Sequence, residues 1–455
     1  MSTSSKYLVA VLAIIAILAI AAAAYFFYSY MQAKQAVQAP PTGEEKVKIT
    51  IWYPDELGIK PKYVEKAVAD LKKKYPDVEI EVRRFKMPPG QFFDKLILAL
   101  ASGEGPDVIH VPGDRIPQLA SAGFIIPLDS YVEKWPDWNN FFESVREATK
   151  YNGHVYSVPM ALDTRFMFYR KDHFQQAGLP VPWEPRNWED IVSASKTLKE
   201  KGIVQYPLVI YAGRQGAGAT SDSGFMMLLC GARGKIYDPE DGKWIVKSKA
   251  ILDVLKFYRR IYLEEKLVDP QILTTPKPWT AMRNRFIEGG ISILVEGAWV
   301  PGGWIKSKGK DYVYKVMGYT PMPGKDGGYA AVGGLGMVWA VTSQSKHPEI
   351  AFEFIKMISK LDYNVHFNLE DPHPSPRKDA VNHPAYKANQ YLVDATKTLQ
   401  WACFLPNDPD WGKVKDAINT MTEWVVTGEK TPEEAMNEFA NLMRYIVGPD
   451  KIKEG

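Results

Sequence analysis

Three short stretches set polar or aromatic side chains just past the end of an apolar run, where open α/β sheets receive ligands. In "PDVIHVPGDR" a β-branched run, Val108 to Val111, stops at Pro112-Gly113, and an acid and a base follow, Asp114-Arg115. "ITIWYPDE" stops at Asp55-Glu56, and "SILVEGAW" ends on Trp299. A carboxylate accepts protons from hydroxyls, and a guanidinium offers a rigid fork of donors. A flat aromatic ring packs on the apolar face of a sugar ring. Such a set can orient a polyhydroxylated ligand without reacting with it. Each residue, on position alone, is equally explained as a turn residue or a core ring.

Reactive motifs are scarce. "GRQGAGAT" (Gly213 to Thr220) is glycine-rich, but no Gly-Lys-Ser/Thr follows, so it is not a phosphate loop. The first strand lacks the G-x-G-x-x-G that a dinucleotide requires. His366, His373 and His383 lie in "VHFNLEDPHPSPRKDAVNHP" at spacings that match no zinc pattern, and the prolines there suggest a surface loop. Neither a G-x-S-x-G elbow nor an H-E-x-x-H helix is present. A pair of facing carboxylates, as a glycosidase uses, remains compatible with the sequence. No metal and no cofactor are expected.

The elements that must position these residues are legible from periodicity. "VKITIWY" alternates as a strand, with Val47, Ile49, Ile51 and Tyr53 set against Lys48, Thr50 and Trp52. "KYVEKAVADLKKKYP" has helical spacing at Val64, Ala67, Val68, Leu71 and Tyr75. "VEIEVRR" is a strand, "QFFDKLILALASG" a helix capped by Gly103, and "DVIHV" the third strand. Strand and helix alternating with short connections imply a parallel sheet. A second segment follows "YNGHVYSVPM", with strands in "FMFYR", "YPLVIY", "GISILVEG" and "YKVMGYTPMPG". Its helices are "NWEDIVSASKTLKEKG", with Asn187 as cap, the short buried "DSGFMMLLCGARG" and the amphipathic "SKAILDVLKFYRRIYLEEKL". "GLGMVWAVT" and the helix "PEIAFEFIKMISKL" come next, and "TPEEAMNEF" carries a capping box, Thr431 to Glu434. No short repeat is present.

The chain has 455 residues, room for two ordinary domains. Lys and Arg number 56 against 53 Asp and Glu, so no basic field argues for nucleic acid. The 13 Trp and 24 Tyr are abundant enough to fill a core and still leave rings for a binding surface. The two cysteines, Cys230 and Cys403, fit neither a disulfide framework nor a CxxC metal site. Export would permit one bridge between them, and free buried thiols are the alternative. Residues 6–30 carry no charge after Lys6 and hold an apolar run of about 22 residues, the length of a bilayer-spanning helix. The positive flank puts the N-terminus inside and the remainder outside. We expect an uncleaved anchor or an atypical export signal over 1–30, with a tether over 31–45 containing Pro40-Pro41 and Gly43.

Taken together and in order, these stretches resemble a family. "GPDVIHVPGDRIPQLASAGFIIPLDSYV" resembles the first lobe of the extracellular solute-binding proteins of ABC sugar importers, maltodextrin-binding proteins in particular. "YNGHVYSVPMALDTRFMFYRKDHFQQAGLPVP" is similar to their hinge and lobe-crossing segment. "FIEGGISILVEGAW", "GGLGMVWAV", "PRKDA" and "GEKTPEEAMNEF" follow in the family's order. The Lys/Glu-rich helices and the absence of a lipid-anchoring cysteine resemble archaeal, thermophilic members.

The resemblance implies a two-lobed α/β periplasmic-binding-protein fold of type II, joined by hinge crossings and preceded by the hydrophobic helix. It places one lobe at 46–158 plus 333–390 and the other at 159–332 plus 391–455, with the hinge at Met160, Gly333 and Gly334. Asp114, Arg115 and Asp163 would meet sugar hydroxyls, Trp299 and Trp411 would stack on the sugar, and the family's acidic turn after the first strand falls on Asp55 and Glu56, which would also contact the ligand. Val111 stands where maltodextrin-binding members often carry Trp, so one stacking platform is missing or comes from Trp52 instead. The implied function is extracytoplasmic capture of a maltodextrin-like oligosaccharide and delivery to an ABC permease, by a monomer anchored or secreted at the outer face of the membrane, with no chemistry performed. An extracellular polysaccharide-active enzyme and a binding protein for a non-sugar solute are the alternatives.

Overall fold

The computed structural model describes residues 47–455, and the expected anchor and tether lie outside them. Among the described residues no helix is long and apolar enough to cross a membrane. The first strand and helix form where periodicity places them: β1 is Lys48–Pro54 and α1 is Pro61–Lys74, the latter opened by Pro61. β2 (Glu79–Phe85), α2 (Pro89–Ser102) and β3 (Val108–Pro112) follow, and Gly103 takes the left-handed conformation that ends α2. β1 runs parallel to both β2 and β3, as the alternation of strand and helix requires. Trp52, expected on the polar side of β1, is buried with Phe92 and Val111. A strand inside a sheet covered on both faces has no wet side, so alternation misleads there.

The chain then makes β4 (Val158–Pro159), β5 (Leu162–Asp163) and β6 (Arg165–Arg170). Further on come β7 (Leu208–Val209), the helix α3 (Met226–Gly231) and β8 (Ile293–Gly297). β9 (Met317–Thr320), β10 (Tyr329–Leu335) and β11 (Met337–Val341) follow. Two main sheets result. One has the order β2-β1-β3-β11-β4, the other β9-β6-β8-β7. The first is parallel only through β2, β1 and β3, because β11 and β4 join antiparallel. In the second, β6 is antiparallel to both its neighbours and only β8–β7 is parallel. Each sheet has its own apolar core, around Phe92, Leu96 and Val111 in the first and around Phe168, Leu294 and Ile418 in the second.

A small set of strands runs between the two sheets. β5 and β10 are antiparallel, Gly334 facing Asp163, and β12 (Ala402–Phe404) lies parallel to β10. β4 leads to β5 and then β6, and β10 leads to β11, whereas β12 is followed by the Trp411–Val426 helix of the second core. The bridge Cys230–Cys403 ties α3 to β12. After β12 come α4 (Trp411–Val426) and α5 (Pro432–Val447). α5 starts at the expected capping box, with Thr431 and Glu434 satisfying each other's backbone N–H groups. Asn187 likewise accepts the Asp190 amide at the start of the Trp188–Glu200 helix.

The bridge spans 173 residues, a long loop to constrain in the unfolded chain. Replacing both cysteines with serine is expected to lower the unfolding free energy by about 2–5 kcal/mol. A denaturant titration of the variant against the parent checks this.

Candidate functional site

The carboxyl ends of β1 and β3 face the second sheet across a cleft of about 1040 Å³. Six of the sequence-predicted residues line it: Asp55, Glu56, Asp114, Arg115, Asp163 and Trp299. The turn that delivers the first acid–base pair is built by close approach. Gly113 donates its amide to the Gly336 carbonyl at 2.7 Å, and a Cβ there would lie 2.3 Å from that of Leu335. Only glycine lets the end of β3 touch the crossing strand this closely.

Asp114 and Arg115, adjacent in sequence, do different things. Asp114 Oδ2 accepts from Lys415 Nζ at 2.5 Å, and the same ammonium donates to Asp222 Oδ2 at 3.0 Å. Burial opposes the charge on Asp114, and Lys415, with Arg115 and Arg165 beyond it, outweighs burial and holds the carboxyl below its ordinary range. Burial likewise opposes the charge on Lys415, and the two carboxylates raise its pKa nonetheless. Arg115 instead lies over the Phe93 ring, its Cζ 4.9 Å from the centroid.

Asp163 sits at the crossing, 3.6 Å from Arg165 Nη2 and 3.9 Å from His373 Nε2. Arg165 is fixed by Ser223 Oγ at 3.2 Å and by the Val332 carbonyl at 3.2 Å. Burial pushes the Asp163 carboxyl above its ordinary range, against the pull of Arg165 and His373. Trp299 stacks on His373, ring centroids 5.1 Å apart and planes 5° apart. A Cβ on Gly297 would come within 2.3–2.4 Å of three ring carbons, so the indole lies on bare backbone and is clamped into the cleft wall.

Other expectations are corrected by packing. Asp55 lines the cleft, but its Oδ1 faces the amides of Gly58, Ile59 and Lys60 at 3.1–3.4 Å, and its Oδ2 pairs with Arg84 Nε at 2.7 Å. It organises the turn before α1. Trp52 lies in the core of the first sheet beside Phe85, and Val111 is buried in the same cluster. Trp411 is 1% exposed, lies 9° from parallel to Trp244 at 6.1 Å, and is covered by the Lys415 ammonium at 5.4 Å. Neither tryptophan lines the cleft. His373, read as a surface-loop residue, is buried in the cleft wall because Trp299 covers it. Met160 holds the first crossing through the Met337 carbonyl at 2.9 Å and Asn364 Nδ2 at 2.8 Å. Gly333 and Gly334 lie in β10 opposite Phe404 and Asp163.

Sequence reasoning missed much of the polar lining. Arg283 forks onto Glu296 at 2.8 and 3.0 Å, Asp222 and Ser223 come from the π-helix Ala219–Phe225, and Lys415, Asp416 and Asn419 come from α4. Only the last group had a usable signal, the polar stripe at helical spacing opposite Val414, Ile418 and Met421. The family-like stretch "PRKDA" is structural instead: Arg377 is buried and forks onto both Asp137 and Asp379 at 2.7–3.0 Å.

The chain matches the family described as bacterial extracellular solute-binding protein over residues 55–362. It is 26% identical over 324 residues to the arabinooligosaccharide-binding protein of Bacillus subtilis, covering 68% of each chain. It is 24% identical over 391 residues to the maltotriose-binding protein of Pyrococcus abyssi, covering 82% of this chain and 77% of that one. Its fold is similar to that of an ABC transporter solute-binding protein from Thermotoga lettingae solved with α-D-tagatose. The TM-score is 0.77 at 22% identity, over 88% of this chain and all of the other.

Because the Asp163 pKa is raised on folding, the stability this group contributes is present below its unfolded value, about 4, and is lost as pH rises through the raised value. Asp163→Asn is therefore expected to melt higher than the parent at pH 7 and together with it near pH 3. Melting curves across that range check the sign.

Proposed function

The chain belongs to the bacterial extracellular solute-binding proteins, and from that premise we propose that it captures a short neutral oligosaccharide in the cleft between its two sheets and delivers it to an ABC permease. The observation that carries this reading is the lining. A clamped aromatic pair, Trp299–His373, stands beside a dense set of fixed donors and acceptors led by Asp114, Arg115 and Asp163. The pair supplies apolar contact, and the polar groups supply orientation. The protein binds and performs no chemistry.

The crossings β4–β5–β6 and β10–β11 support closure as the reporting motion. In this reading the lobes are 46–158 plus 333–390 and 159–332 plus 391–455, rocking about Met160, Gly333 and Gly334. The assignment of residues beyond 391 is supported by Tyr391, which packs on Phe166 and donates to the Ala298 carbonyl of the second half at 2.6 Å. Glu56 stands at the rim of the cleft, where Lys306 donates to the neighbouring Leu57 carbonyl. The protein works outside the cytoplasm, as a monomer, held at the membrane by its apolar segment 6–30.

The ligand class follows from the relatives, one named for arabinooligosaccharides and one for maltotriose. Calorimetry and thermal shift with maltotriose and arabinotriose test it. A bound sugar at about 100 times its dissociation constant adds about 2.7 kcal/mol of stability. Trp299→Ala is expected to lower affinity at least about tenfold, roughly 1.4 kcal/mol, with the fold retained by circular dichroism. Binding of neither sugar by the parent, or an unchanged affinity in Trp299→Ala, overturns the reading.

A further inference from the structure

Building on the reading of the cleft as a closing sugar site, we propose that Gly302 is the seat on which the first half of the molecule lands when the cleft shuts. The seat sets affinity through contact between the two halves and does not touch the ligand.

The helix Val300–Lys308 belongs to the second half. Val300 and Trp304 are in its core, and Trp304 stacks on Phe286 with ring centroids 5.0 Å apart. Two consecutive glycines, Gly302 and Gly303, stand inside this helix. Glycine weakens a helix relative to alanine, and neither residue has the positive φ that would call for it. The need comes from across the cleft. A Cβ on Gly302 would lie 2.9 Å from the Glu370 carbonyl oxygen and 2.9 Å from Pro372 Cδ. Glu370 ends the helix Leu361–Glu370, which belongs to the first half. It packs on α1 through Tyr63 and Phe367, centroids 5.7 Å apart, and through the Lys62–Glu370 ion pair. Neither obstacle is a flexible side chain, since one is backbone and the other a proline ring. The chain on both sides is also held: the Asp371 amide donates to the Phe367 carbonyl at 2.8 Å, and the Leu162 amide to the Pro374 carbonyl at 2.8 Å.

The contact continues along the helix. A Cβ on Gly303 would meet Leu57 Cδ2 at 3.6 Å, an ordinary packing distance, and Lys306 donates to the Leu57 carbonyl. Just before the helix, Trp299 stacks on His373. Two separate segments of the first half, Leu57 after β1 and Glu370–His373, thus meet one helix of the second. Among the described residues, the cleft lining includes none of Gly302, Gly303 and Lys306. The halves have separate cores and are joined by crossing strands, so a contact between them on the cleft side is one that opening breaks. A group that disfavours only the closed form lowers the closed population, and the apparent affinity falls by the same factor.

The test compares Gly302→Ala and Gly303→Ala with the parent, using calorimetry with whichever of maltotriose and arabinotriose binds more tightly, and melting of the free proteins. Gly302→Ala is expected to lose at least about tenfold in affinity. Its free form melts no lower than the parent, because alanine suits the helix and the open form has no clash. Gly303→Ala makes the same chemical change one residue on, where a methyl has room, and stays within about threefold of the parent. Parent-like affinity in Gly302→Ala overturns the proposal. A free Gly302→Ala protein that melts clearly below the parent, or does not fold, makes the contact a permanent one and overturns it too. So does a Gly303→Ala loss as large as that of Gly302→Ala, which would trace the effect to the helix and not to the seat. If the parent itself binds neither sugar, the reading of the cleft fails and this inference falls with it.

Discussion

Lys415 carries the one charge on which the cleft depends. It is almost fully buried, and it lies between Asp114 at the end of β3 and Asp222 in the opposite half of the molecule. A buried ammonium costs several kcal/mol in desolvation, and it is tolerated because two carboxylates face it at hydrogen-bond distance. Lys415 and Asp222 pair within the half that holds α4, and Asp114 reaches them from the end of β3, so the contact joins the two walls of the cleft. The same contact fixes the direction of Asp114, covers Trp411 and sets the spacing of the cleft walls. Arg165 extends the arrangement toward Asp163 and Asp222, so the polar floor behaves as one network.

The crossing strands give this network its freedom and its limits. β5, β10 and β12 pair with one another by backbone hydrogen bonds. The closure proposed above would be absorbed by a few residues at their ends. The bridge at Cys403 ties β12 to α3, in the half that holds Asp222. Asp55, Asp114, Trp299 and Lys415 sit at the ends of β1, β3 and β8 or on α4, and rigid elements of this kind hold side chains more accurately than loops do.

Much of this was legible in the chain, and the failures have physical reasons. Strands and helices with clean periods formed where they were expected, and the caps Asn187 and Thr431 engaged as their chemistry requires. Asp114, Arg115, Asp163 and Trp299 were placed at the cleft by the order of several weak motifs, none sufficient alone. Asp55 also reached the cleft, yet three amides and Arg84 take up its oxygens, and a strand-end position cannot reveal that. Trp411 and Lys415 are one turn apart on the same side of α4, so spacing leaves open which of them faces the cleft. His373 looked solvent-exposed among prolines, because the ring that buries it is 74 positions away in the chain, at Trp299.

The sequence by itself determined the alternation of elements, the family pattern and the polar ends of β1 and β3, because these depend on neighbours within a few residues. It could not determine the antiparallel closure of the first sheet by β11 and β4, the Cys230–Cys403 bridge, or the Lys415 clasp. Those depend on groups separated by 173 to 301 positions, and only the packed chain brings such groups within hydrogen-bond reach, where burial decides which charge and which ring the ligand can meet.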